Sequence, residues 1–153
     1  MTEWKESRKA ALKLLEYKGR TEKELREKLA EKGFGEELIE DAVAYAASFG
    51  YLDDRRYAQS YILNRQGSKS RRKLQNELRQ KGIGEGVFGE AWDALPLEER
   101  DERTLIREQL EKKIPPGTKP DEKTLRRTYA YFLRRGFRHE DIMAVLSGFR
   151  EGF

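Results

Sequence analysis

Residues Ser70 to Ile83 read S-R-R-K-L-Q-N-E-L-R-Q-K-G-I, and two other stretches of the chain repeat their pattern. These stretches are Thr21 to Phe34, T-E-K-E-L-R-E-K-L-A-E-K-G-F, and Thr124 to Phe137, T-L-R-R-T-Y-A-Y-F-L-R-R-G-F. Each has a hydroxyl residue suited to capping a helix, then a large apolar residue four places before a glycine. A basic residue precedes the glycine and an apolar one follows it. The glycines are 49 and 54 residues apart and are Gly33, Gly82 and Gly136. A capped helix recurring at this period predicts a repeat architecture.

Further apolar residues at three- and four-residue spacing flank each of these stretches, which indicates three short helices in every unit. No stretch alternates between polar and apolar residues as a strand does. The sequence therefore predicts an all-α fold of three tandem three-helix repeats, forming an elongated, curved array. We expect the repeats to cover residues 1–50, 51–96 and 97–153, with a Pro-rich linker at 114–120 inside the third.

The composition excludes several classes of protein. The chain of 153 residues has no cysteine, so it can form neither a disulfide framework nor a thiolate metal site. Its one histidine, His139, cannot supply a multi-histidine zinc centre. The longest apolar run, Ala42 to Ala47, is too short to span a membrane, and the N-terminus lacks the apolar segment of a secretory signal. We therefore expect a soluble, cytoplasmic protein.

The formal net charge of +4 conceals two strongly basic segments. Arg65 to Lys81 carries seven basic residues against one acid, and Lys123 to Arg138 carries six against none, so each has a net charge of +6. Charge runs are usually solvated helix faces. Two such clusters at corresponding repeat positions favour a surface that binds a polyanion.

No enzyme motif occurs in the sequence. There is no phosphate-binding loop, dinucleotide-binding glycine pattern or nucleophile elbow. Asp53 and Asp54 could be read as metal ligands, but no third ligand has suitable spacing, and aspartate at a helix start is more often a cap. Tyr129 and Tyr131 stand beside arginine pairs and could stack on bases, although we expect one of them to face the core. We expect no catalytic, metal or cofactor site.

An ordered set of motifs carries a resemblance to a known family. Gly50 to Ala58 reads G-Y-L-D-D-R-R-Y-A, and it is followed by the pattern around Lys81-Gly82-Ile83. The third element is Tyr131 to Phe137, Y-F-L-R-R-G-F. Together these motifs closely resemble the RecX regulatory family, and the resemblance runs from about Ala10 to Leu146. It gives structural roles to Tyr51, Leu52, Asp53, Asp54, Tyr57, Gly33, Gly82 and Gly136.

The resemblance implies three tandem three-helix repeats and a function without catalysis. Members of the family modulate the RecA recombinase in DNA recombination, DNA repair and the SOS response. They generally inhibit strand exchange, ATP hydrolysis and coprotease activity by binding the RecA–DNA filament. We therefore expect a RecA filament as partner, with single- or double-stranded DNA contacted through the basic clusters by a monomer. The predicted contact residues are Lys69, Arg71, Arg72, Lys73, Arg79, Lys81, Arg126, Arg127, Arg134, Arg135 and Arg138.

Two other functions stay open at this point. Each three-helix unit could act as a helix-turn-helix module of an autonomous DNA-binding protein. That function needs base-reading residues in one helix's first turn, and Ser70-Arg71-Arg72-Lys73 is better suited to phosphate contact. A helical scaffold that binds only proteins is the third possibility, and the basic clusters argue against it.

Overall fold

The computed structural model describes residues 2–65, 67–96, 101–115 and 117–150. Within these ranges the chain forms nine α-helices and no β-strand, as the sequence predicts. The expected all-α repeat fold is thus confirmed. The helices are α1 Thr2–Tyr17, α2 Glu22–Glu31, α3 Glu36–Ser48, α4 Asp54–Arg65, α5 Arg71–Gln80, α6 Glu85–Asp93, α7 Glu102–Lys113, α8 Glu122–Arg134 and α9 His139–Arg150.

The repeated glycine ends α2, α5 and α8 in the same way. In α2, the N–H of Gly33 donates to the carbonyl of Ala30, and the N–H of Phe34 donates to that of Leu29. Such a Schellman ending needs a positive φ at the glycine, which is 91° at Gly33. It also brings the apolar residue after the glycine toward the one five places earlier. This contact explains why both positions are apolar in every repeat.

The periodic apolar residues are buried as the pattern predicts. Leu25 and Leu29 of α2 are fully buried and pack with residues of α1 and α3 in one core cluster. Phe132 of α8 is fully buried in a second cluster with residues of α7 and α9. Of the remaining repeat positions only Phe34 is half-buried. The others are buried, namely Ile39, Val43, Leu74, Leu78, Ile83, Phe88, Trp92, Phe137, Ile142 and Leu146.

Thr128 departs from the leucine pattern because it stands where α2 and α5 carry Leu25 and Leu74. It is nonetheless buried, with 6% of its surface exposed. Its hydroxyl donates a 2.7 Å hydrogen bond to the carbonyl of Thr124, one turn earlier in α8. A buried hydroxyl that bonds back to its own helix carries little desolvation penalty, so the position accepts threonine.

The sequence predicts a hydroxyl residue as the N-cap of α2, α5 and α8, and the structure confirms this for the first two helices. Thr21 forms a complete capping box with Glu24, and Ser70 Oγ accepts from the N–H of Lys73. The prediction for Thr124 is wrong. Helix α8 begins one turn earlier, at a cap formed by Asp121, whose side chain accepts from the Thr124 N–H at 2.8 Å. Aspartate is at least as strong a cap as threonine, so the helix extends to it.

The chain divides into two compact units, each with its own internal packing. One comprises Met1–Ser60 with Leu78–Ala91, and the other comprises Tyr61–Glu77 with Trp92–Phe153. Residues of the second predicted repeat contribute to both. The boundaries at residues 50 and 96 stay a prediction, since residues 97–100 lie outside the described part, as does Pro116 in the linker.

Candidate polyanion-binding surface

After its first residue, the exposed Glu122, the charged residues on the solvent side of α8 are all cations. Lys123, Arg126, Arg127 and Arg134 follow a helical spacing of three, four and eleven residues, which places them on one side of the helix. The opposite side buries Leu125, Thr128 and Phe132. All four cations are exposed, and none takes part in an ion pair within the described ranges. We call these four residues the cationic face of α8.

Arg138 and Arg79 are the other predicted contact residues that remain exposed and unpaired among the described residues. Arg138 follows α8 by four residues, and Arg79 lies in the last turn of α5. Arg72 is also exposed, but its guanidinium already donates a 2.9 Å hydrogen bond to the carbonyl of Gly136. The predicted residues therefore differ in what they can offer a ligand.

Three more of the predicted cations are occupied within the protein. Lys69 pairs with Glu77 at 2.8 Å, and Lys81 pairs with Glu24 at 3.2 Å. The Arg71 guanidinium lies 5.3 Å from the centre of the Trp92 ring. Burial alone would raise the pKa of Glu77, but hydrogen bonds from Lys69 and Tyr61 hold that pKa below its ordinary value. The one acid of the basic segment is therefore ionised beside Lys69.

Arg135 and the two tyrosines are also committed to contacts within the third repeat. The Tyr131 ring has Lys113 Nζ at 3.7 Å and the Arg135 guanidinium at 4.1 Å from its centre. The Tyr129 hydroxyl hydrogen-bonds His139 Nδ1 at 2.7 Å. Both tyrosines are half-buried and pack against the core cluster, where we had expected only one to do so. Neither presents a free ring to a base.

Side chains at the start of α2 donate hydrogen bonds to backbone carbonyls at the end of α5. Thr21 Oγ1 donates a 2.6 Å hydrogen bond to the carbonyl of Lys81, and Lys23 Nζ donates to that of Gln80 at 3.1 Å. Gly82 lies so close that a Cβ built on it would be 2.5 Å from the Cβ of Lys23. The glycine is therefore needed for this contact as well as for its φ of 92°.

The start of α5 contacts the end of α8 at the corresponding position of the next repeat. The N–H of Ser70 donates to the carbonyl of Arg135 at 3.0 Å. A Cβ on Gly136 would clash with Ser70 Oγ and lie 2.7 Å from Lys73 Cβ. Lys73, a predicted contact residue, is half-buried at this junction. The glycines thus allow helix ends of successive repeats to touch, and they do so at both junctions.

At each of these two contacts between repeats, an acid from the following repeat accepts a hydrogen bond from a backbone N–H at the start of α2 or α5. Asp54, the first residue of α4, accepts a 2.8 Å hydrogen bond from the Glu22 N–H, and Glu102, the first residue of α7, accepts one of 3.2 Å from the Arg71 N–H. Burial raises the pKa of both carboxyls. Asp53 caps α4 itself by accepting from the Arg56 N–H, as predicted.

Sequence reasoning gave Asp54 only a role in its own helix and gave Glu102 none. Both acids directly follow an N-cap aspartate, Asp53 or Asp101, and this doubled acid was the signal that could have revealed them. Of the other motif residues, Leu52 is buried, Tyr57 is half-buried and Tyr51 is 57% exposed.

The described ranges contain no helix long and apolar enough to cross a membrane. They also bring together no group of three acidic or histidine side chains able to hold a metal ion. Tandem three-helix units define an all-α repeat protein.

Comparisons with known proteins identify the family. Models of the first, second and third three-helix domains of RecX match residues 8–45, 53–91 and 101–146. The chain belongs to the RecX family. The regulatory protein RecX of Clostridium botulinum is 30% identical over 142 residues, covering 91% of this chain and 66% of that protein. The RecX protein of Caldanaerobacter subterraneus is 32% identical over 146 residues, covering 95% of this chain and 71% of that protein.

Solved structures show the same fold. The crystal structure of RecX from Lactobacillus salivarius superposes with a TM-score of 0.76 at 20% identity, covering 97% of each chain. A crystal structure of a regulatory protein RecX gives a TM-score of 0.72 at 22% identity, covering 95% of this chain and 72% of that one.

Proposed function

We propose that this protein binds the RecA–DNA filament and inhibits the recombinase, ATPase and coprotease activities of RecA. It acts by binding rather than by catalysis, in the cytoplasm and as a monomer. Membership of the RecX family supports the regulatory role. The cationic face of α8 carries the proposal because its four exposed charges form no ion pair in the described ranges.

The chemistry of this face suits a polyanion. Guanidinium groups donate paired hydrogen bonds to phosphate or carboxylate groups, so Arg126, Arg127 and Arg134 can bind filament-bound DNA or an acidic protein surface. An exposed cation without a partner gives up no internal ion pair when a ligand arrives. The occupied cations, such as Lys69 and Lys81, would have to break an ion pair first.

The start of α5 is less suited to reading bases. The Arg71 guanidinium lies over the Trp92 ring, and the Arg72 guanidinium donates to the carbonyl of Gly136. A recognition helix needs free side chains in its first turn. These contacts therefore favour the filament proposal over an autonomous helix-turn-helix protein.

The test is the ATPase rate of RecA on single-stranded DNA, with this protein titrated in below one copy per RecA protomer. We expect the rate to fall. We expect Arg127→Glu combined with Arg134→Glu to need about tenfold more protein for the same inhibition, because charge reversal replaces attraction with repulsion. Arg107→Glu is the matched control, since Arg107 is an exposed arginine on α7. Undiminished inhibition by the double variant would exclude the cationic face as the contact.

A further inference from the structure

Three aromatic rings lie in contact around the end of α3, and two of them are exposed. Tyr45 and Phe49 meet edge to face at 5.0 Å, and Phe49 and Tyr51 stack with their centres 6.0 Å apart and their planes 26° from parallel. Phe49 is 59% exposed and Tyr51 is 57% exposed. An aromatic side chain that contributed only to the core would be covered, so this cluster calls for another explanation.

Two neighbouring cavities run along α1 beside these rings. One, of about 500 Å³, is lined by Tyr45, Arg8 and three exposed lysines, Lys5, Lys9 and Lys13. The other, of about 540 Å³, is lined by Tyr51, Arg56 and Leu15. Leu12 and Glu16 line both, so the two cavities form one groove along α1. We call it the α1 groove.

The groove combines fixed rings with free positive charge. Asp41 holds Arg8 by two hydrogen bonds of 2.8 and 2.9 Å, and the Arg8 guanidinium lies 4.5 Å from the centre of the Tyr45 ring. At the other end, Arg56 donates to the carbonyl of Gly50 at 2.6 Å. The three lysines form no ion pair within the described ranges. Of the residues that line the groove, Glu16 alone is acidic.

We propose that the α1 groove binds single-stranded DNA, with phosphates held by Lys5, Lys9 and Lys13. Unpaired bases stack on Tyr51, which lines the groove, and on Phe49, which contacts Tyr51. Exposed rings beside a row of cations are the combination by which proteins hold single strands without reading their sequence. The row of lysines gives the groove the charge complementarity that this polyanion requires. Duplex DNA keeps its bases stacked in the helix and cannot use the rings. The site is distinct from the cationic face of α8, and the proposal does not rest on an effect on RecA.

The test compares two oligonucleotides of equal charge, a twenty-residue thymidine strand and an abasic strand of the same length. Fluorescence anisotropy gives the affinity of the protein for each in the absence of RecA. We expect the parent to bind the thymidine strand about tenfold more tightly, because stacking is lost on the abasic strand. Phosphate binding by the cationic face of α8 is common to both strands and so creates no preference between them.

The variant F49A/Y51A should lower this ratio to near one. Tyr17→Ala is the matched control, because Tyr17 is 82% exposed on α1, lines neither cavity and contacts none of the three rings, so it should preserve the ratio. K9E/K13E should weaken binding of both strands alike. A parent ratio near one, or a double aromatic variant with the parent's ratio, would overturn the proposal. Weaker binding of the lysine variant together with an unchanged ratio for the aromatic variant would indicate a site that holds phosphates without stacking bases. These outcomes concern DNA binding without RecA. They leave the test of the cationic face of α8, which measures RecA inhibition, unaffected.

Discussion

Thr21 Oγ1 donates a 2.6 Å hydrogen bond to the backbone carbonyl of Lys81, sixty residues further along the chain. The same hydroxyl accepts from the N–H of Glu24 and thereby caps α2. One fully buried side chain therefore closes the start of α2 and satisfies a carbonyl at the end of α5. The residue that recurs as a helix cap in the sequence is also a contact between repeats.

Thr21→Val should destabilise the protein by about 2 kcal/mol, because it removes a helix cap and leaves the Lys81 carbonyl without this donor. Thr21→Ser keeps the hydroxyl and should cost less than half as much. Urea unfolding followed by circular dichroism measures both. Equal stability of the valine variant and the parent would show that the bond contributes nothing net.

Gly136→Ala should be more destabilising than Gly33→Ala. Both glycines have a positive φ, 88° and 91°, so each alanine pays a backbone penalty of about 1 kcal/mol. Gly33 has open space around it, whereas a Cβ at Gly136 meets Ser70 and Lys73. We expect a total of about 3 kcal/mol at Gly136, since overpacking adds a further 1–3 kcal/mol. Matching melting temperatures for the two variants would contradict the close approach.

Glu102→Gln should change how stability depends on pH. Burial raises the pKa of Glu102 above its ordinary value of 4.5. The folded protein therefore favours the protonated carboxyl, and this contribution is complete below pH 4.5 and is lost as the pH rises through the folded-state pKa. Glutamine retains an oxygen that can accept from the Arg71 N–H and carries no charge.

The glutamine variant should match the parent near pH 3.5 and be the more stable protein at pH 7. Urea midpoints measured across this range test the expectation, with Glu108→Gln on the exposed side of α7 as the control. A variant that is less stable than the parent at pH 7 would mean that the ionised carboxylate stabilises the junction.

The neighbours Arg134 and Arg135 should respond differently to alanine substitution. Arg134 is exposed on the cationic face of α8, whereas Arg135 lies over the Tyr131 ring. Arg134→Ala should weaken RecA inhibition and its salt dependence without affecting stability. Arg135→Ala should cost about 1 kcal/mol of stability through the lost cation–π contact and leave inhibition by the folded protein nearly unchanged. If both variants lost inhibition equally, Arg135 would contact the ligand as Arg134 does, in spite of its contact with the Tyr131 ring.

The sequence alone determined the helices, the repeat and the family. These depend on contacts between residues close in the chain, such as the bond from the Phe34 N–H to the Leu29 carbonyl, so a short motif specifies them. The third cap was misplaced because Asp121 and Thr124 are both capable caps one turn apart, and local preference does not decide between them. The two basic clusters could also be identified from the sequence, since they depend only on the positions of charged residues along the chain.

Only the tertiary structure decided which of those cations are free. Arg72 meets Gly136 across 64 residues, and Lys81 meets Glu24 across 57. The exposure of Phe49 and Tyr51 likewise depends on the tertiary structure, because α3 packs against α1 without covering these two rings. The charge of a residue is a property of its type, whereas its availability depends on neighbours that the fold brings from distant parts of the chain.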